Sequence, residues 1–200
     1  MAPRAWLLAV SVALLCATGC RLSYTGGAKQ VNAAQLDNSW LRASATPVVK
    51  QKSQVDCGLA ALAMVGGAWG QTWTVEDLRR TVKMSAKGAK LGALRDAARA
   101  RGFEAYAIAG TYQDLQKELS KGRPVMLGLQ LPFEQNRALH HYEVVVAMNP
   151  RDGTIVTLDP ATGKYLQRSK TVLDKEWKPV GYPTLVVVGP RVALSSGKEN

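Results

Sequence analysis

The segment Cys57-Gly58-Leu59-Ala60-Ala61-Leu62-Ala63-Met64 constrains the fold more than any other part of the chain. It reads as a helix that is apolar almost all the way round, and such a helix must be enclosed by other structure. Asp56 stands where an N-cap belongs, and Gly66, Gly67 and Gly70 are expected to end the helix. Helical signals continue: Thr74 before Glu76-Asp77 caps a segment from Val75 to Val82, and Leu91 to Arg101 carries an apolar face stopped by Gly102. Beyond it the period changes. Phe103 to Ile108 alternates with a period of two, as a half-buried strand does. Thr111 caps a helix to Leu119. Val125 to Leu131, Tyr142 to Met148, Thr154 to Leu158 and Leu185 to Val188 read as strands. Helices first and an antiparallel sheet later predict an α+β class, with the Cys57 helix packed centrally on the sheet.

That helix carries its only thiol at its first turn. Unpaired backbone N–H groups and the positive end of the helix dipole favour thiolate over thiol there. Thiolate is the form that attacks a carbonyl. Gly58 leaves room for an incoming carbonyl. Cys57 fits equally well as one more small apolar residue of a buried helix. The two histidines, His140 and His141, are adjacent at the opening of a strand, so their side chains point to opposite faces. One of them can serve Cys57 as a base. Asp159, at the end of the neighbouring strand, can orient that imidazole, although Asp159-Pro160 also reads as the start of a turn. Gln51, a short loop before Cys57, could supply a side-chain amide to an oxyanion, with Gln54 a rival by proximity.

Composition narrows the alternatives. The 200 residues carry a net charge of +11, but Lys and Arg are scattered and not interleaved with aromatic residues, so nucleic acid is not an expected partner. One usable Cys and two adjacent His are too few ligands for a metal site, and no Gly-rich phosphate loop occurs; no cofactor is expected. Arg4, the apolar run Ala5 to Leu15 and the small residues Ala17-Thr18-Gly19-Cys20 read as an export signal covering 1–19. Ordinary signal peptidase and lipoprotein processing would cut at the same bond, and the second would put a lipid on Cys20. The expected location is therefore the bacterial periplasm or outer membrane, with a lipid anchor in place of a membrane span. Residues 20–45 read as a polar tether, with a short helix around Ala33 to Leu41. The folded domain is expected at 46–190 and a frayed tail at 191–200. Cys16 leaves with the signal, so Cys57 is the one thiol inside the domain and no disulfide framework is possible.

Gln51-Lys52-Ser53-Gln54-Val55-Asp56-Cys57-Gly58 resembles the nucleophile segment of the bacteriocin-processing, double-glycine leader cysteine peptidases, a papain-like family. His141-Tyr142-Glu143-Val144-Val145-Val146 and Asp159-Pro160-Ala161-Thr162-Gly163 are similar to its second and third blocks, and the likeness runs from about Val48 to Val188. The resemblance implies a papain-like fold, with Cys57 as nucleophile, His141 as base, Asp159 as orienter and Gln51, in place of Gln54, as oxyanion donor. It implies an endopeptidase cutting a peptide or protein after small residues such as Gly-Gly. Members often belong to peptide-export ABC transporters. No transporter domain follows here, so this chain is expected not to hydrolyse ATP, and a separate transporter is a possible partner. Glu143 departs from the family pattern; facing the groove, it would favour basic substrates. A non-catalytic peptide-binding module and a Cys-dependent acyl transferase are the alternative functions.

Overall fold

The computed structural model describes residues 26–132 and 138–190. The segment expected to be a signal sequence, Cys20 and the expected tail from 191 lie outside them. Helix α1 (Cys57–Ala68) is buried continuously from Cys57 to Gly66. Leu59, Leu62 and Met64 are wholly enclosed, each contributing about 1.5–3 kcal/mol by leaving water. Two strands of the helical half form a hairpin, β3 (Met84–Ser85) and β4 (Gly88–Ala89). Around α1 pack α2 (Val75–Thr81) and α3 (Leu91–Ala100). Thr74 caps α2 by accepting from the Asp77 N–H at 3.1 Å.

All of these lie on one face of a single antiparallel sheet. Its main strands are β5 (Phe103–Ala109), β6 (Val125–Pro132), β7 (Ala138–Met148), β8 (Ile155–Asp159), β9 (Lys164–Arg168) and β10 (Pro183–Pro190). Their spatial order is β9-β8-β7-β6-β10-β5. The opposite face is covered by α4 (Tyr112–Leu119) and α5 (Lys170–Trp177). The pleat divides β6 between the layers: Met126 faces α1, while Val125, Leu127 and Leu129 face α4 and α5. The architecture is the mixed helix and antiparallel sheet that the sequence predicts.

Four expectations require correction. First, the described part of the 20–45 stretch is no loose tether. β1 (Lys29–Gln30) pairs with β9, and β2 (Leu41–Arg42) pairs with the end of β7. A 3₁₀ turn at Ala33–Gln35, shorter than the helix expected there, connects them under an Asn32 cap. These few residues fill open sheet edges, and two-residue strands carry no readable period. Second, Asp56 occupies the N-cap position of α1 without capping it; its carboxylate accepts from the Ser53 N–H at 3.0 Å and pairs with Arg79. Third, Gly66 and Gly67 lie inside α1. A Cβ would come within 2.4 Å of the Trp73 ring at Gly66 and 2.2 Å of Pro47 at Gly67, so both glycines admit close neighbours. Gly70, at φ +74°, follows the helix. Fourth, β9 and α5 were not expected. β9 is polar in sequence, and its one deeply buried side chain is Arg168, which masks the alternation that marks a strand.

Candidate active site

Cys57, at the first position of α1, is a free, buried thiol. His141 meets it from β7. The strand pleat buries His141 and leaves its neighbour His140 exposed, yet both border the same cleft, His140 at the rim. His141 Nε2 lies 2.7 Å from Asp159 Oδ1, which leaves the other ring nitrogen available to Cys57 in the cleft that both residues line. Asp159 ends β8 and performs both jobs that the sequence offered as alternatives. Besides holding His141, it starts the turn after β8, accepting from the N–H groups of Ala161 at 2.9 Å and Thr162 at 3.2 Å and from the Thr162 hydroxyl at 2.7 Å. With its acceptors saturated, the carboxylate is fixed in direction.

The electrostatics follow from this geometry. Burial pushes the Cys57 thiol up, but the hydrogen bond and charge of His141, with the backbone N–H groups of Tyr142 and Gly58, outweigh it and bring the thiol below its ordinary range. Burial pushes His141 down, but the hydrogen bonds to Asp159 and Cys57 and the charge of Glu143 carry it well above the ordinary imidazole range. Burial also opposes ionisation of Asp159, yet His141, Thr162 and Ala161 hold it down to about 2. Both shifts act toward a thiolate beside an imidazolium. Asp56, next to Cys57, would oppose that thiolate; its pairing with Arg79 offsets the effect.

Gln51 and Gln54 separate as the spacing suggests. Gln54 is exposed. The Gln51 backbone N–H donates to the Pro160 carbonyl at 2.9 Å, and its side-chain Oε1 is buried without a hydrogen-bond partner among the described residues. Its amide is thus not fully spent on the protein. Gly58 serves a different purpose from the one expected. A Cβ there would meet Leu94 at 3.0 Å and the Tyr142 ring at 3.1 Å, so the space is filled by neighbours and is not left open for substrate. Glu143 does not face the groove. It is wholly buried and bound by Arg168, so the expected preference for basic substrates loses its basis. The cleft carries Lys87 and Lys90 from the β3–β4 hairpin and the turn after it, which the sequence reading did not single out. Their place at the groove depends on a hairpin of two-residue strands with no period to read.

A free thiol at a helix start, an imidazole between it and a carboxylate, and an open cleft above them form an acyl-transfer arrangement. The model of the peptidase C39 family matches residues 45–186. The chain belongs to this family. Among curated relatives of this chain is the colicin V secretion/processing ATP-binding protein of Escherichia coli, 29% identical over 136 residues, which are 68% of this chain. Another is the pediocin PA-1 transport/processing ATP-binding protein of Pediococcus acidilactici, 29% identical over 150 residues, or 75% of the chain. The aligned regions make up only 17% and 19% of those relatives' lengths. Among solved structures, the peptidase domain of Streptococcus ComA, a bi-functional ABC transporter involved in a quorum sensing pathway, superposes with a TM-score of 0.59. It is 23% identical, and the match covers 72% of this chain and 99% of that domain. A double glycine motif protease from an AMS/PCAT transporter, solved with its leader peptide, gives a TM-score of 0.57 at 21% identity, over 73% and 93% of the two chains. These likenesses show that the chain has the papain-like fold of C39 peptidase domains.

Proposed function

We propose that this C39 peptidase is a cysteine endopeptidase working outside the cytoplasm, with Cys57 as nucleophile, His141 as acid and base, Asp159 as orienter and Gln51 as oxyanion donor. The observation that carries the reading is the His141 imidazole, held by Asp159 at 2.7 Å and lining one open cleft together with Cys57. The Cys57 thiolate attacks the scissile carbonyl carbon and forms the carbon–sulfur bond. The negative oxygen receives hydrogen bonds from the Gln51 amide and the Cys57 backbone N–H. His141 gives its proton to the departing amine as the carbon–nitrogen bond breaks, leaving a thioester. Water, losing a proton to His141, then attacks the thioester and releases the carboxylate product and the thiolate.

Small residues at the cut suit the cleft. The Pro183 and Tyr142 rings crowd Gly128 so closely that a Cβ there would stand 2.9 Å from Pro183 Cγ and 3.2 Å from Tyr142, and Gly88 and Ala89 also line the cleft. The substrate is a peptide or protein cut after a pair such as Gly-Gly, and a peptide-export transporter is the partner that the relatives suggest. The leader 1–19 and a lipid on Cys20 account for Arg4, the apolar run and the small residues before Cys20. In this reading the peptidase domain extends from the strands at 29–42 to about 190.

A peptide library read by mass spectrometry tests the chemistry. Cleavage after small residues is expected in the native protein and none in Cys57→Ala. Cleavage without that preference overturns the specificity. Peptide binding by Cys57→Ala together with no turnover by the native protein would replace the enzyme by a binding module. For location, mass spectrometry of the membrane fraction should find a chain starting at an acylated Cys20; an intact Met1 form in the cytosol overturns export.

A further inference from the structure

Behind His141 lies a buried ion pair that the reaction above does not use. Glu143 is two residues along β7 on the same side as His141 and has no exposure. A ring nitrogen of His141 and one carboxylate oxygen each of Glu143 and Asp159 lie within 4.8 Å of one another. Arg168 on β9 clamps Glu143 through two parallel bonds, Nη1 to Oε2 at 2.7 Å and Nη2 to Oε1 at 2.8 Å. Its Nε donates to Glu176 of α5 at 2.6 Å, and Nη1 also donates to the Thr157 hydroxyl at 2.7 Å, which in turn bonds Glu143. Every polar atom of the clamp is thus oriented.

Charges this deep are costly, and an apolar filling of equal volume is often as stable. Their placement therefore calls for a reason other than stability. The Glu143 carboxylate meets a full bidentate partner in the Arg168 guanidinium. The groups around His141 are then Cys57 from α1, Asp159 from β8 and Glu143 from β7. β6 presents only Leu127 and Leu129 opposite Glu143 and His141, and Lys87 and Lys90 stand exposed at the cleft. Asp159 both orients and charges the imidazole. Glu143 reaches it through space, with a carboxylate oxygen within 4.8 Å of a His141 ring nitrogen.

We propose that Glu143, clamped by Arg168, is a positioning residue for the Cys57–His141 pair, its buried charge holding the imidazole cationic and turned toward the thiolate. The inference rests on reading those two residues as the working pair. Its test is the rate of Cys57 alkylation by iodoacetamide across pH, with kcat and KM on a cleaved peptide, in the native protein, His141→Ala and Glu143→Gln. Losing one nearby negative charge should lower the alkaline limb by about one pH unit, reducing kcat above that limb with KM unchanged. The double variant Glu143→Leu/Arg168→Met removes the carboxylate together with the guanidinium that faces both it and Glu176; because Glu143 is the nearer charge, the alkaline limb should move the same way but less, and this variant serves if the single one does not fold. A native thiolate that depends on His141, combined with an unmoved alkaline limb in the folded variant, overturns this inference alone, even if thermal stability falls. An ordinary thiol profile in the native protein, insensitive to His141→Ala, overturns the working pair and this inference together.

Discussion

Gln51 and Pro160 are joined through their backbones, N–H to carbonyl at 2.9 Å. The loop that leads into Cys57 is therefore fastened to the turn that fixes Asp159. Two of the proposed catalytic groups share one piece of scaffold although they come from opposite halves of the chain, and the alignment of nucleophile and orienter does not depend on the packing of α1 alone.

That connection makes Gln51 separable from its neighbour. Gln51→Ala should leave the backbone bond and the thermal midpoint nearly unchanged while lowering kcat by roughly 10²–10³-fold, the usual loss of one oxyanion donor. Gln54→Ala, at an exposed position, should behave as the native protein does. Steady-state kinetics on one cleaved peptide, with a melting curve for each variant, decides; equal activity in all three proteins would remove Gln51 from the mechanism.

Asp159→Asn retains an oxygen for the turn but replaces the charge facing His141 with a neutral amide. The expected loss in kcat/KM is roughly 10²–10⁴-fold. Because Asp159 also receives three hydrogen bonds from its own turn, stability should fall too. Kinetics below the melting transition separate the two effects.

Activity should be bell-shaped in pH. The Cys57 thiol is held below its ordinary range, so on acidification the thiolate survives until pH falls through that lowered value. His141 is held above its ordinary range, so on raising pH its proton is lost, and activity with it, only well above neutrality. Asp159, held at about 2, stays ionised throughout. Its contribution to folding is full above the ordinary carboxylate range and is lost as pH falls through about 2. Initial rates between mildly acidic and alkaline buffers check the profile. An activity peak confined to a narrow band near the free imidazole value would contradict the shifts.

Gly66→Ala and Gly67→Ala set two effects against each other. Helix propensity predicts a gain of about 1 kcal/mol for each. The new methyl, however, would press on the Trp73 ring or on Pro47 at under 2.5 Å, and overpacking typically costs about 1–3 kcal/mol. Packing should win, and both variants should be less stable in denaturant titrations. A rise in midpoint for either would mean that its neighbour moves aside freely.

The sequence made the fold legible wherever one residue pattern served one purpose. The all-round apolar run from Leu59 to Met64 required a central helix, and Thr74 and Thr111 marked helix starts that the structure confirms. His141 and Asp159 could be paired because the strands they mark are neighbours. Legibility failed where a residue served two purposes or where long-range pairing decided. Asp56 looked like a cap because local sequence cannot show that Arg79 claims its carboxylate. Glu143 looked like a groove residue because its partner Arg168 lies on β9, the strand whose own polar sequence concealed it. Lys29 and Leu41 looked like tether because nothing within two residues indicates the sheet edges they cover.

Those edge pairings also set an order of events. Lys29 lies against Gln167 and Gln30 against Leu166, while Leu41 meets Met148. The earliest described part of the chain to be synthesised can find its partners only after nearly the whole domain has followed it. Until then the free edges of β7 and β9 are open to any other extended chain, so the clasp covers them only late in the making of the domain.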